Sequence, residues 1–228
     1  MPQADPIFQQ LPRTPGVHSR CENLHASTKF KMIIIGMGSN VTSRWGDSYR
    51  TIAEGLNQLE GAGIPILRHS RFYRTSPLGP ADQPDYFNAA AIIGTSLPAI
   101  ALLSLLKKIE TAAGRRSSVR WGPRALDIDI LDYNRQILNW QNRRCQRFKC
   151  NEFRLILPHP GIESRPFVLQ PLQDIAPYWH HPVYGLNPAQ FLARLRGVKM
   201  GRIIDTVSDT YPLIQNLQSL HEPEKIAT

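Results

Sequence analysis

Cysteine is scarce in this chain: three in 228 residues, Cys21, Cys145 and Cys150, an odd number that builds no disulfide framework. Reduced thiols are the simplest reading and point to the cytoplasm. Cys145 and Cys150, taken with His159, lack the fourth ligand and the compact C-x-x-C spacing of a structural zinc site. Long apolar runs are missing too. The longest, around Leu97–Leu106, falls well short of the ~20 residues that a membrane span requires, and the N-terminal stretch has no signal-like apolar region. A cytoplasmic chain with no membrane partner is therefore expected. Acidic residues are outnumbered, 18 against 27 basic ones, for a formal charge of +9. Such a surplus suits nucleic acid, an anionic membrane surface or a polyanionic small substrate.

What is present is an ordinary globular composition, 42% apolar and 20% charged, in a length that suits one domain with appendages. The basic residues are densest at Arg115–Arg124 and Arg143–Lys149. Residues 1–30 mix Pro, Gln, His, Ser and Thr without periodicity and read as a disordered or loosely packed extension. Patterned sequence begins at Lys31. The β-branched run Lys31–Gly36 predicts a buried strand, followed by a tight loop at Gly36–Asn40. Asp47 is placed to cap a helix with Tyr49, Ile52, Leu56 and Leu59 on one face, ended by Gly61 and Gly63. Ile64–Tyr73 and Tyr86–Ile93 read as strands, the latter broken by Gly94. Pro98 opens a second helix through Ile100, Leu103, Leu106 and Ile109, closed by Gly114. Ala125–Leu131 is a fourth strand, and Ile137-Leu138 a short return strand.

The order β-α-β-β-α-β is the split βαβ arrangement, an α+β fold in which two helices cover one face of an antiparallel sheet. The domain is expected over residues 31–182, with a surface insertion at 139–153 and a C-terminal extension at 183–228. Within that extension, Asn187-Pro188 looks like a helix start.

The most informative run is Arg120-Trp121-Gly122-Pro123-Arg124-Ala125-Leu126-Asp127-Ile128-Asp129-Ile130-Leu131. Side chains alternate along a strand, so Asp127 and Asp129 share one face while Leu126, Ile128 and Ile130 take the other. Adjacent carboxylates repel unless a cation lies between them, and Mg²⁺ held by carboxylates and substrate phosphates is the usual solution. The flanking arginines then suit phosphate oxygens, which they grip bidentately. An edge strand wetting its polar face is the plainer alternative.

Three further segments carry weaker signals. Gly38-Ser39-Asn40 could offer N–H groups and a hydroxyl to an anion, or be a simple turn. The proline-rich loop Arg74–Asp85 is stiff enough to form a pocket wall. Tyr86 and Asn88 after it share a face, where a ring and a carboxamide can receive a flat heterocycle; core packing and a capping role are the other readings. His159, between Pro158 and Pro160, is rigidly displayed as a hydrogen-bond donor to phosphate or a proton-transfer group, or is a surface turn histidine.

Taken together, R-W-G-P-R-x-L-D-I-D-I-L, F-Y-R-T-S-P-L-G-x-x-D-Q-P-D-Y-F-N and L-P-H-P…S-R-P-F-V-L-x-P-L resemble the 6-hydroxymethyl-7,8-dihydropterin pyrophosphokinase family, from about Met32 to Pro177. The resemblance implies a ferredoxin-like core and transfer of the β,γ-diphosphate of ATP to the pterin hydroxymethyl group in folate biosynthesis, with release of AMP. It implies Asp127 and Asp129 as ligands of two Mg²⁺ ions. Arg115, Arg120, Trp121 and Arg124 resemble the loop positions that close on ATP, with Arg115 and Arg124 catalytic alongside the aspartates. Arg154 and His159 resemble ATP contacts, and Glu110 and Ile130 sit at nucleotide-side positions. Thr75, Pro77, Leu78, Tyr86, Asn88 and Phe167 resemble the pterin pocket, with the ring between Tyr86 and Phe167. Lys107 replaces a polar amide of the family pattern, Pro160 an aromatic, and the Gly114–Arg120 loop is slightly short.

A nucleotidyltransferase also pairs a Gly-Ser turn with D-x-D, but with the two motifs close in sequence. An RNA-binding sheet should show RNP-like aromatics, and none are found. Small-molecule substrates, no nucleic acid and a monomer are expected.

Overall fold

The computed structural model describes residues 31–78, 82–115, 122–140, 155–198 and 201–207. The extension 1–30, Arg120, Trp121, Arg154, most of the 139–153 insertion and residues 208–228 lie outside the described residues. Among the described residues β1 (Lys31–Ser39), α1 (Ser48–Gly61), β2 (Ile66–His69), β3 (Phe72–Thr75), β4 (Tyr86–Thr95), α2 (Ala99–Ala112), β5 (Asp127–Tyr133), α3 (Pro166–Ile175), α4 (Pro188–Arg194) and β6 (Ile203–Val207) make one sheet with helices on both faces. Among the described residues no helix is long and apolar enough to cross a membrane.

The strands run in the order β5-β1-β4-β3-β6, with β2 also paired to β4, and every pairing is antiparallel. With β2 and β3 counted as one interrupted strand, the first four positions reproduce the ferredoxin-like order. The interruption corrects the single strand expected over Ile64–Tyr73. At the break, Ser70 Oγ accepts the Ala90 N–H at 2.9 Å and donates to Arg71 O at 2.7 Å, so a side chain replaces a rung of the backbone ladder. Gly94 does not end β4, and β1 runs through the glycines to Ser39 rather than turning at Gly36. β5 starts and stops two residues later than expected, and the return strand at Leu138 reduces to a single bridge with Leu157.

Local signals explain the helices. Asp47 caps α1, its carboxylate accepting the Arg50 N–H at 2.8 Å. Asn187 and Gln190 form a reciprocal capping box at α4. α3 was not anticipated; Pro166 suits its first turn, and Pro171 inside it masks the helical pattern.

Alternation along the strands divides the interior in two. Ile33, Ile35, Met37, Ala89, Ala91, Ile93, Ile128 and Ile130 pack against α1 and α2. On the opposite face Ile34, Ile92 and Leu131 pack with Leu169, Leu172, Ile175 and Phe191 of α3 and α4. Within 183–228, read as an extension, α4 and β6 join the same packed unit.

Candidate active site

Among the described residues, α3 and α4 cover only part of the second face. Where α3 ends toward its N-terminus, the strands beneath stop presenting large apolar groups and present Gly36, Gly38, Ala90, Asn88, Asp129 and Asp127 instead, and a cavity of about 260 Å³ opens over them. Its floor is set by register. Gly38 pairs with Asn88 on one side and Asp127 on the other; Gly36 pairs with Ala90 and Asp129. Asn88 and Asp127 are therefore two strand spacings apart, roughly 10 Å, with only a glycine between them. A Cβ at Gly38 would come within 3.0 Å of Asn88 Oδ1. Glycine keeps the amide end and the carboxylate end one continuous trough.

At the carboxylate end, Asp127 and Asp129 face the same way, as alternation requires. Arg115 Nη1 donates to Asp127 Oδ1 at 2.7 Å, and Arg124 Nη1 to Oδ2 at 2.7 Å. Arg115 also pairs with Glu110. Glu110 is buried, accepting Lys107 Nζ at 2.7 Å and the Ile128 N–H at 2.7 Å. Burial pushes the Glu110 carboxyl up, against the pull of Lys107, while Asp127 and Glu110 outweigh burial to raise Arg115. Glu110 thus anchors the end of α2 to the start of β5.

His159 comes from the loop before α3. Its backbone N–H donates to Leu131 O at 2.9 Å, its Nδ1 accepts the Gly161 N–H at 3.1 Å, and its Nε2 lies 3.7 Å from Asp129 Oδ2. Burial lowers the imidazole pKa, outweighing Asp129. An Nδ1 that accepts leaves the proton of the neutral ring on Nε2, facing Asp129.

At the other end Asn88 Nδ2 donates to Thr75 Oγ1 at 2.8 Å inside the protein, which turns Oδ1 toward Gly38 and the trough. Thr75, Ser76, Leu78, Tyr86 and Phe167 complete the walls. The Tyr86 hydroxyl donates to Gly122 O at 3.2 Å, tying this wall to the Gly-Pro turn before Arg124. Burial pushes the Tyr86 phenol up, so it stays a donor.

Of the residues singled out in the sequence, the cavity gathers Asp127, Asp129, Arg124, His159, Thr75, Leu78, Tyr86, Asn88 and Phe167. Arg115 and Glu110 reach it through Asp127. Ile130 packs in the core on the opposite face, and Pro77 is not among the lining residues. Arg120, Trp121 and Arg154 are outside the described residues. Gly38-Ser39-Asn40 is no anion cradle: the Asn40 N–H donates to Arg124 O at 3.1 Å and Ser39 is buried. Asn40 is a junction instead, its Oδ1 accepting the Arg124 N–H at 2.8 Å and its Nδ2 donating to Pro84 O at 3.2 Å. Arg165 was missed. It lines the cavity at the N-cap of α3, 5.9 Å from the Phe167 ring centroid, and its only sequence signal is the S-R-P-F run.

A divalent ion fits the donor set. Among the described residues no group of three or more His, Cys, Asp or Glu gathers. An ion here would rely on two hard carboxylates and complete its shell with water and substrate oxygens, the habit of Mg²⁺ rather than zinc.

The 7,8-dihydro-6-hydroxymethylpterin-pyrophosphokinase (HPPK) family model matches residues 34–177. The chain belongs to this family. The 2-amino-4-hydroxy-6-hydroxymethyldihydropteridine pyrophosphokinase of Haemophilus influenzae is 39% identical over 142 residues, 62% of this chain and 79% of that protein. The enzyme of the same name from Methylorubrum extorquens is 38% identical over 144 residues, 63% of this chain and 81% of that protein. The folate synthesis bifunctional protein of Arabidopsis thaliana is 38% identical over 166 residues, 68% of this chain, and the chain spans only 31% of that relative's length. The crystal structure of wild-type Plasmodium falciparum HPPK-DHPS has the same fold at 15% identity, with a TM-score of 0.53 over 75% of this chain and 42% of that one. Gly36, Gly38, Asp127, Asp129 and Leu131, which line the trough from β1 and β5, fall inside the HPPK match.

Proposed function

We propose that this chain transfers the diphosphate of ATP to the hydroxymethyl group of 6-hydroxymethyl-7,8-dihydropterin, releasing AMP, in folate biosynthesis. The observation that carries this reading is the single trough joining Asn88 to Asp127 across Gly38. One end suits the edge of a flat heterocycle and the other a chain of phosphates. The HPPK family membership and the curated names of the bacterial relatives support it.

Asn88 Oδ1, held by the Thr75 bond, accepts from the ring N–H donors, and Tyr86 and Phe167 wall the ring faces. Arg115 and Arg124 grip phosphate oxygens, exchanging Asp127 for the substrate. His159 offers its Nε2 proton to a phosphate oxygen. Asp127 and Asp129 would hold two Mg²⁺ ions, whose chemistry is neutralisation of charge on the triphosphate. The hydroxymethyl oxygen forms a bond to the β-phosphorus, the bond from that phosphorus to the oxygen bridging the α-phosphorus breaks, AMP leaves, and the hydroxyl proton is released. Alignment and charge carry such a transfer, and no covalent nucleophile is needed.

Purified chain incubated with ATP, Mg²⁺ and the hydroxymethyl-dihydropterin should form AMP and pterin diphosphate in equal amounts. ADP or free pyrophosphate as the nucleotide-side product would refute the reading, the latter in favour of nucleotidyl transfer.

A further inference from the structure

The HPPK match ends at residue 177, yet the wall that carries Phe167 is backed by a segment well beyond it. β6 pairs with β3 as a sixth strand, Ile203 opposite Thr75 and Val207 opposite Phe72. The join continues past the strand: the Ser76 N–H donates to Arg202 O at 2.9 Å and the Arg202 N–H to Ser76 Oγ at 3.0 Å. Arg74 Nη2 and Asp205 Oδ2 are 2.7 Å apart across the same pair. Gly201, which leads into β6, is buried, has φ +66, and lies directly against the Phe167 ring. A Cβ there would stand 2.6 Å from Phe167 Cδ1 and 3.0 Å from Cε1. Nothing but a glycine leaves the ring where it is. The ring borders the cavity, so its cheapest escape from an added carbon is into the trough.

We infer that the strap Gly201–Val207 belongs to the heterocycle site, with Gly201 acting as a positioning residue that sets the Phe167 ring and so the width of the slot for a planar bicyclic ligand. The inference rests on the function proposed above and deepens it. Gly201 touches no substrate in this scheme; it acts through Phe167. Thr75 and Ser76, on the same wall, are held by the same strap, so the slot is framed jointly by the family core and by residues outside the family match.

Gly201→Ala and Gly201→Asn both add the Cβ, and Asn tolerates the left-handed backbone, which separates ring displacement from backbone strain. In the full-length chain each variant should raise the KM for the dihydropterin at least ~10-fold, as small misplacements at a site do. The KM for ATP and kcat at saturating pterin should stay within about twofold. In a Phe167→Ala background, adding Gly201→Ala should change the pterin KM by less than about twofold, because the group it displaces is gone. A thermal melt of the Asn variant checks folding. Equal rises in both KM values, no rise in either, or a Gly201→Ala effect undiminished without Phe167 would overturn the strap's role. A wild-type chain that forms no AMP would instead refute the function itself, so the two failures are told apart.

Discussion

Arg115 bridges Glu110 and Asp127, so the carboxylate best placed to bind a metal already has a cation on one oxygen, and Arg124 supplies a second cation to the other. Arg115 and Arg124, proposed above to grip phosphate, thus balance the charges of Glu110 and Asp127. Replacing Asp127 or Asp129 with Ala should lower turnover at least ~100-fold through loss of metal anchoring. AMP formation measured against Mg²⁺ concentration checks this; activity near the wild-type level in either variant would remove the carboxylates from the mechanism.

Asn88→Ala removes the acceptor at the heterocycle end and leaves Thr75 Oγ1 without its partner. The affinity for dihydropterin should fall about 10-fold or more, consistent with ~1–3 kcal/mol for an unpaired buried polar group. Affinity for a non-hydrolysable ATP analogue should barely change. Calorimetry with each ligand separately decides, and equal losses would contradict the division of the trough.

Gly38→Val fills the narrow passage between the two ends. The added atoms meet Asn88 Oδ1 and the Tyr86 ring, so kcat/KM for the pterin should drop by at least ~100-fold. Retained ATP-analogue binding in the same protein would show that the strand pairing survives.

Asp174 pins α3 to β3. It accepts two bonds from the Arg71 guanidinium, at 3.1 and 2.8 Å, and one from the Tyr73 hydroxyl at 2.7 Å. Burial, then Asp174, pushes the Tyr73 phenol up to about 12. Arg71 is half exposed, which discounts its share. Asp174→Asn should cost about 1–2 kcal/mol, hence roughly 2–8 °C in Tm. A melt unchanged within error would show the clamp to be energetically idle.

Asp132 gives a pH signature. It is buried, accepts the Arg135 N–H at 3.0 Å, and burial raises its carboxyl pKa. The folded chain therefore holds this proton to higher pH than the unfolded chain does. Its contribution to stability is complete below the ordinary carboxyl range, declines as pH rises through the raised value, and is flat beyond. Asp132→Asn should reduce that decline in Tm without abolishing it, since burial shifts Glu110 in the same direction. A variant whose Tm falls with pH as steeply as the wild type would exclude Asp132 as a source.

The sequence made the first half of the architecture legible because its signals are local. Asp47 announces α1, Pro98 precedes α2, and alternation alone puts Asp127 and Asp129 on one face. Illegible features depend on distant partners. The break at Ser70 needs Ala90 opposite it, and β6 is five residues whose strand character comes from β3. Gly36 and Gly38 look like turn formers, and only their partners across the sheet, Ala90 and Asp129 for one and Asn88 and Asp127 for the other, reveal them as the open floor of the cavity. Arg165 was hidden for a similar reason: its place in the trough follows from where α3 starts, and Pro171 conceals that helix.

Ser76 and Arg202, which close the wall behind Phe167, are 126 residues apart in the chain. On a ribosome adding about 5–20 residues per second, the outer edge of β3 waits roughly 6–25 s for the strand that covers it. Without β6, β3 would be an edge strand carrying Arg74, and a charged side chain on an edge discourages pairing with other chains. In the folded chain the same guanidinium pairs with Asp205, so the charge that lies along the open edge ends in an ion pair across the closed one.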